Sequence, residues 1–213
     1  MYRKKSLFIT FEGIEGSGKT YQSKKLYNKL KKKNLPVIFT REPGGSKSAE
    51  IIRKIILNGE KNKFNKYTDA LLYLASRSEH IKNLLAPALF KKKIIICDRF
   101  IDSTIAYQVY GKKISINLIN SVHKEILDNI SPDLTFVLKV NINKSSKRLN
   151  KRKKTNRYDN FSKKFYQRVQ NGFIKIARKN KKRCIILDNS KDSKSVENLI
   201  FKIVQKRLLK WKI

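Results

Sequence analysis

Five short apolar runs punctuate the chain, at residues 7–11, 37–39, 94–97, 134–140 and 184–187. Each is continuous rather than alternating, which is the pattern of a strand covered on both faces, as in a parallel sheet. Between them the apolar period lengthens to that of a helix. Residues 20–33 carry Leu26 and Leu30 four apart and stop at Asn34-Leu35-Pro36, a turn signal. Residues 46–57 place Ile51, Ile52, Ile55 and Ile56 on one face, and Thr68-Asp69 opens a long helix through Leu74 and Leu84 to Pro87. Further helices are predicted over 116–130, 143–152, 161–179 and 192–210. Strands that alternate with helices predict a doubly wound parallel α/β sheet with helices on both faces. No repeat or Gly/Ser linker divides the 213 residues, so a single domain over 1–213 is expected. Ligands in such sheets bind at the carboxyl ends of the strands, and the residues just after each strand decide the chemistry.

Charge at first suggests a different partner. With 51 Lys+Arg against 16 Asp+Glu the formal charge is +35, enough to propose a polyanion-binding protein. Yet 39 of these cations are Lys and 12 are Arg, and the Lys are scattered in runs such as Lys31 to Lys33, Lys91 to Lys93 and Lys181-Lys182. Spread so evenly, they fill solvated positions rather than build a binding stripe, and no specific nucleic-acid partner is expected. A basic nucleic-acid-binding protein stays as the competing class, to be separated by the salt dependence of duplex binding. Hydrophobic content of 40% is too high for a disordered tail. No apolar run approaches the ~20 residues of a membrane span, and the start of the chain lacks the apolar stretch of a signal peptide. Cys97 and Cys184 each sit inside an apolar run, spaced for neither a metal nor a disulfide framework, so a cytoplasmic, reducing compartment is expected.

After the first strand stands Gly13-Ile14-Glu15-Gly16-Ser17-Gly18-Lys19-Thr20, a complete G-x-x-x-x-G-K-[ST] loop over 13–20. Its glycines let backbone N–H groups curl around a β-phosphate, Lys19 reaches the β/γ-oxygens, and the Thr20 hydroxyl is placed to ligate Mg²⁺ beside ATP. The second strand runs into Thr40-Arg41-Glu42-Pro43-Gly44-Gly45, a sharp turn beneath an Arg whose planar fork suits phosphate. The third ends at Asp98-Arg99-Phe100, four apolar residues and then an Asp, as in a metal-side Walker-B arrangement. A P-loop and two arginines at three neighbouring strand ends exceed what one triphosphate requires, and a second phosphate-bearing substrate follows. The P-loop itself has no Arg. The run 147–157, with Arg148, Arg152, Arg157 and no acid, is therefore expected to form a short mobile lid over about 147–159 that brings cations to the migrating phosphoryl. Glu15, repelled by phosphates, is suited to a hydroxyl of the second substrate. Tyr73 and Arg77, four apart on one helical face, are suited to stack a base and to donate to its edge.

Assembled, these residues resemble bacterial thymidylate (dTMP) kinases of the P-loop nucleoside monophosphate kinase family, over nearly the whole chain. The T-R-E-P-G-G block and Asp98-Arg99-Phe100 followed by Ser103-Thr104 and Ala106-Tyr107-Gln108 carry the resemblance; a P-loop alone would not. It implies a Mg²⁺-dependent ATP:dTMP phosphotransferase on a five-stranded P-loop NTPase-type sheet, working as a homodimer in dTTP supply. It implies that Arg41 and Arg99 hold the dTMP phosphate, that Tyr73 stacks on thymine and Arg77 reaches a thymine carbonyl, that Ser103, Thr104 and Gln108 lie near the base, that Tyr107 sits under the sugar, and that Glu15 lies near the 3′-OH. The catalytic set is then Lys19, Asp98, Arg99 and the lid arginines, Arg152 first and Arg148 beside it, with Thr20 and Asp98 at the metal; adenine falls near 188–192. Two departures stand out: Val109-Tyr110-Gly111-Lys112-Lys113 where relatives have a glycine-rich run, and Lys139 where relatives often carry an acid. The alternative acceptor is another nucleotide or small-molecule hydroxyl.

Overall fold

The computed structural model describes residues 6–60, 62–151, 157–190 and 193–211. The five apolar runs become strands β1 (Leu7–Glu12), β2 (Val37–Arg41), β3 (Ile94–Asp98), β4 (Leu134–Lys139) and β5 (Cys184–Asp188). They form one parallel sheet in the order β2-β3-β1-β4-β5. Each strand turns alternate residues to opposite faces, and both faces are covered. On one, Leu7, Ile9, Phe11, Ile94 and Ile96 meet Leu26 and Leu30 of α1 (Lys19–Lys31) and Val196, Ile200 and Val204 of α9 (Ser193–Trp211). On the other, Phe8, Ile95 and Cys97 meet Ile81, Leu85 and Leu89, while Val137 and Val140 lie under Val169, Phe173 and Ile176 of α8 (Lys163–Lys179).

The remaining helices are α2 (Lys47–Leu57), α3 (Lys66–His80), α4 (Ala86–Phe90), α5 (Ile101–Thr104), α6 (Ile116–Ile126) and α7 (Ile142–Asn150). Their starts follow from capping chemistry: Ser46 accepts from the Ala49 N–H, Asn65 from those of Tyr67 and Thr68, and Ser162 from that of Phe165. Asn65 therefore starts α3 ahead of the expected Thr68-Asp69. Helix α6 stops at Ile126, short of the expected 130, because Asp128 and Asn129 take positive φ (45° and 58°) and turn the chain out of the helix.

Three features depart from the pattern. Pro87 does not end its helix: a π-helical turn, Ile81–Leu85, lets the Ala86 N–H bond the Ile81 carbonyl, and the helix restarts with Pro87 in a first-turn position that needs no N–H. The apolar face expected over 46–57 is split, with Ile56 buried while Ile51 and Ile55 are 59% and 43% exposed. Residues 101–111, which carry no helical apolar period, are helical throughout, as α5 and a π-helical turn Ile105–Gly111. Their buried side is mixed, with Asp102, Ser103, Thr104 and Gln108 facing inward beside Ala106 and Tyr107, and this hides the period. Arg183 fixes α5 through two bonds to Asp102, at 2.7 and 2.8 Å. Among the described residues no helix is long and apolar enough to cross a membrane.

Candidate active site

Register brings the expected residues together. Asp98 pairs with Phe11 on one side and Arg41 on the other, so the P-loop, the T-R-E-P-G-G turn and the Asp98-Arg99 pair emerge at one edge of the sheet. The edge opens into a cleft bounded by strand ends, the P-loop and the Tyr73 and Tyr107 rings. Glu15, Lys19, Thr20, Arg41, Tyr73, Arg77, Asp98, Arg99, Ser103, Thr104, Tyr107 and Gln108 all line it.

The P-loop's outward carbonyls are each tied down. Ser145 donates to the Glu15 carbonyl at 2.5 Å, Arg148 to that of Gly16 at 3.0 Å, and Asn189 to that of Ser17 at 2.7 Å. Because C=O and N–H point oppositely across a planar peptide, these bonds turn the amide N–H groups toward the loop's interior, the concavity that receives a phosphate. Gly18 takes φ 89°, and a Cβ there would run into the Asn189 amide. Lys19 is nearly buried and donates to the Ile14 carbonyl at 3.2 Å. At the next residue the Thr20 hydroxyl donates to Asp98 Oδ2, while Asp98 Oδ1 is buried without a partner among the described residues. A hydroxyl and an orphaned carboxylate oxygen beside a phosphate loop are hard oxygen donors, and they fit a small divalent cation such as Mg²⁺.

Arg99 adopts a left-handed backbone (φ 74°), unusual for a residue with a Cβ, which turns its side chain back over the P-loop. It donates to the Gly13 carbonyl (2.9 Å), Ser103 Oγ (3.0 Å), Glu15 Oε1 (2.8 Å) and Tyr107 OH (3.2 Å). Burial alone would raise the Glu15 carboxyl, but Arg99, Lys19 and the Tyr107 hydroxyl, which also donates to it, bring it below the usual glutamate range. Glu15 is thus an ionised acceptor on the cleft wall. Beneath it Glu12 is fully buried, accepting from the Phe100 N–H at 2.8 Å with Ser103 Oγ 2.5 Å away. Burial first and the neighbouring Asp102 second push its carboxyl up to about 8.

Deeper in the cleft Arg77 forms a buried ion pair with Glu42 at 2.6 Å. Burial alone would raise the Glu42 carboxyl, and Arg77 with the His80 ring outweighs it and holds it low. Gln108 Nε2 is buried and unpartnered among the described residues, a donor available to a ligand. The Tyr73 ring meets Tyr158 edge-on at 5.9 Å. Arg41 is half exposed and pairs with Glu50 at 3.2 Å at the mouth.

Sequence reasoning missed Arg53 and Tyr158, both of which line the cleft. Arg53 donates to the Pro43 carbonyl at 2.5 Å, and burial followed by the like charge of Arg41 lowers its pKa. The scarcity of Arg among Lys was the available signal, since Arg53 is one of only 12. The lid arginines separate. Arg148 packs behind the P-loop, donating also to the Asn189 carbonyl at 3.2 Å, instead of lining the cleft. Arg157 is fully buried, paired with Asp69 and donating to the Ile56 carbonyl. Arg152, with the rest of 152–156, lies outside the described residues. Near the expected adenine position, Gln22 donates to Asn189 Oδ1 (3.4 Å) and to the Ser193 carbonyl (2.7 Å), bracing that loop against α1. The Val109–Lys113 departure forms the end of the helical segment: Lys112 bonds the buried Asp69 at 2.5 Å. Lys139 stands opposite Asp188 across β4 and β5, 3.9 Å away, outside the cleft.

Comparison with known proteins agrees with this geometry. A family model for thymidylate kinase matches residues 11–200. The chain is 40% identical over 204 residues to a thymidylate kinase of Mycoplasma capricolum subsp. capricolum, covering 95% of this chain and 96% of that protein. It is 43% identical over 198 residues to one from Wolbachia pipientis wMel, covering 91% and 97%. The crystal structure of thymidylate kinase from Ehrlichia chaffeensis superposes with a TM-score of 0.76 at 38% identity, over 94% of this chain and 98% of that one. The family match over 11–200 and these relatives, in keeping with the five parallel strands, the P-loop and the arginine-lined cleft at one sheet edge, place the chain in the thymidylate kinase family.

Proposed function

We propose that the chain transfers the γ-phosphoryl of ATP to dTMP, giving dTDP and ADP, with ATP on the P-loop and dTMP across the adjoining cleft. One observation carries the reading. P-loop residues Glu15, Lys19 and Thr20 share one cleft with the cations Arg41 and Arg99, Arg99 anchored against the loop itself, and with an aromatic, Arg77-containing group of Tyr73, Tyr107 and Tyr158. The donor and acceptor phosphates are thereby held in line, and most of the catalysis is positioning. The acceptor phosphate is already anionic, so its oxygen forms the new bond to the γ-phosphorus as the β,γ-bridging bond breaks, without a protein base. Lys19 steadies the donor phosphates, and Arg99 orients the acceptor from its anchored left-handed turn. Thr20 and Asp98 would hold Mg²⁺, which supplies charge neutralisation between the donor phosphates. Tyr73 and Tyr158 flank the base, Arg77 and Gln108 donate to its edge with Thr104 beside them, and Glu15 and Tyr107 stand at the sugar, with Ser103 holding Arg99.

The unit is read as one domain over 1–213 with a lid over about 147–159, in which Arg152 reaches the migrating phosphoryl and Arg148 supports the loop. A homodimer is supported by the exposed apolar residues Ile51 and Ile55 on α2 and Tyr67 and Leu71 on the neighbouring α3. Two buried free thiols, Cys97 and Cys184, suit a cytoplasmic setting. The test is ADP release by the purified protein with Mg·ATP and dTMP, dUMP, dCMP, GMP or shikimate. Turnover with dTMP well above all others is expected; equal or absent turnover with dTMP would sink the reading.

A further inference from the structure

The chain has two histidines, and both lie buried on either side of one ion pair, Glu42–Arg77. His80 Nδ1 is 3.0 Å from Glu42 Oε1, and its Nε2 is 2.7 Å from Thr40 Oγ1. His123, on α6, reaches Arg77 from the far side, with Nε2 2.7 Å from Nη1. Arg77 lines the cleft; His123 does not.

Donor counting gives this contact its meaning. A guanidinium carries five N–H groups and accepts nothing, so His123 Nε2 is the acceptor and the neutral ring keeps its proton on Nδ1. Burial first, and then the Arg77 charge, lower the His123 pKa to about 3, in keeping with a neutral ring. Arg77 Nε and Nη2 both donate to Glu42 Oε2, at 2.8 and 2.6 Å. Nη1 donates to Thr104 Oγ1 at 2.7 Å and to His123. Among the described residues four of the five N–H groups are thus engaged, and one, on Nη2, remains. The guanidinium also lies over the Phe100 ring at 5.2 Å, a further cation–π contact.

We propose that His123 is a positioning residue for pyrimidine selectivity: by consuming one Nη1 donor it locks Arg77 so that a single N–H faces the base. This rests on the reading that Arg77 meets the pyrimidine edge. A lone, immobile donor is satisfied by a carbonyl at ring position 4 and opposed by the amino group that cytosine carries there. With His123 removed, a buried Nη1 N–H loses its acceptor, and the guanidinium, still held by Glu42 and Thr104, can shift toward the vacated space and away from that clash.

The experiment compares His123→Leu, His123→Gln and Arg77→Ala with the wild type, in steady-state kinetics for dTMP, dCMP and ATP. His123→Leu is expected to raise KM for dTMP about tenfold and to reduce the dTMP/dCMP ratio of kcat/KM by a similar factor, leaving kcat and the ATP KM within about twofold. His123→Gln, whose amide oxygen can accept at the same place, is expected to keep the ratio within about threefold. A His123→Leu variant that matches the wild type, or that loses kcat and both KM values together, overturns the proposal. If Arg77→Ala preserves the ratio, the placement of Arg77 at the base is what fails; if Arg77→Ala destroys it and His123→Leu does not, only the role of His123 fails. Independently of any variant's folding, ¹⁵N NMR of the wild-type imidazoles reads the tautomer. A neutral Nδ1–H form for His123 throughout pH 5 to 8 is expected, and an Nε2–H form or a titration in that range overturns the proposal.

Discussion

Glu12 ends β1 with its carboxyl fully enclosed, beside Asp102 and below Arg99. Raised from 4.5 to about 8, it keeps in the folded chain a proton that the unfolded chain has already released. The native state therefore binds more protons between these values, and stability falls as pH rises through that window, by at most about 1.4 kcal/mol per pH unit for a single group. Glu12→Gln keeps an oxygen for the Phe100 N–H and removes the titration. Urea unfolding midpoints measured from pH 5 to 8 should decline more steeply for the wild type than for the variant, and parallel profiles would refute the assignment. Glu12, visible in the sequence only as the last polar residue before the P-loop, carries no signal of this. Its environment is made by Asp102 and Ser103, some ninety residues away. Arg99 was legible by position, yet its aim was not, because a left-handed backbone at a strand end leaves no mark in composition.

At the scale of elements, the loop between β1 and α1 works because its carbonyls are held from outside. Three supports come from α7 and from the turn after β5, at Ser145, Arg148 and Asn189. Gly18 is where the clearance is least. Alanine there would strain a positive φ by about 1 kcal/mol and displace the Asn189 amide that anchors Ser17. Gly18→Ala is expected to lower kcat/KM for ATP on the order of a hundredfold, as small misplacements of phosphate-binding groups do, while the chain still folds. Kinetics at fixed dTMP would test it, and wild-type ATP kinetics would show that the loop tolerates the change. The helix over 101–111 illustrates the opposite problem. Most of its inward residues are polar, Ser103, Thr104 and Gln108 lining the cleft and Asp102 pairing with Arg183, so the amphipathic signal that revealed α2 or α8 is absent. Arg157, grouped with the lid by charge alone, proved to be a buried partner of Asp69, because burial and ion pairing are decided by tertiary neighbours.

Across the whole molecule, the scattered Lys that dominate the +35 charge are not what shapes the cleft, where, among the described residues, Lys19 is the one Lys beside Arg41, Arg53, Arg77 and Arg99. Helices α2 and α3 each expose large apolar side chains, Ile51 and Ile55 on one and Tyr67 and Leu71 on the other, which suits the proposed association surface. Light scattering on the eluting protein should give twice the mass of one chain, and Ile55→Glu with Leu71→Glu should give a single-chain mass. A wild-type monomer would remove the dimer from the proposal. The sequence by itself determined the five strands, the P-loop, the place of Arg41 and Arg99 at neighbouring strand ends and the fold class, because continuous apolar runs and fixed motif spacing are local properties. Only the tertiary structure decided that residues 101–111 are helical, that Arg53 and Tyr158 wall the cleft, that Arg157 is buried, and that His123 stands behind Arg77. Those facts depend on which distant side chains meet, and the pairing of donors, acceptors and charges across the sheet edge sets them.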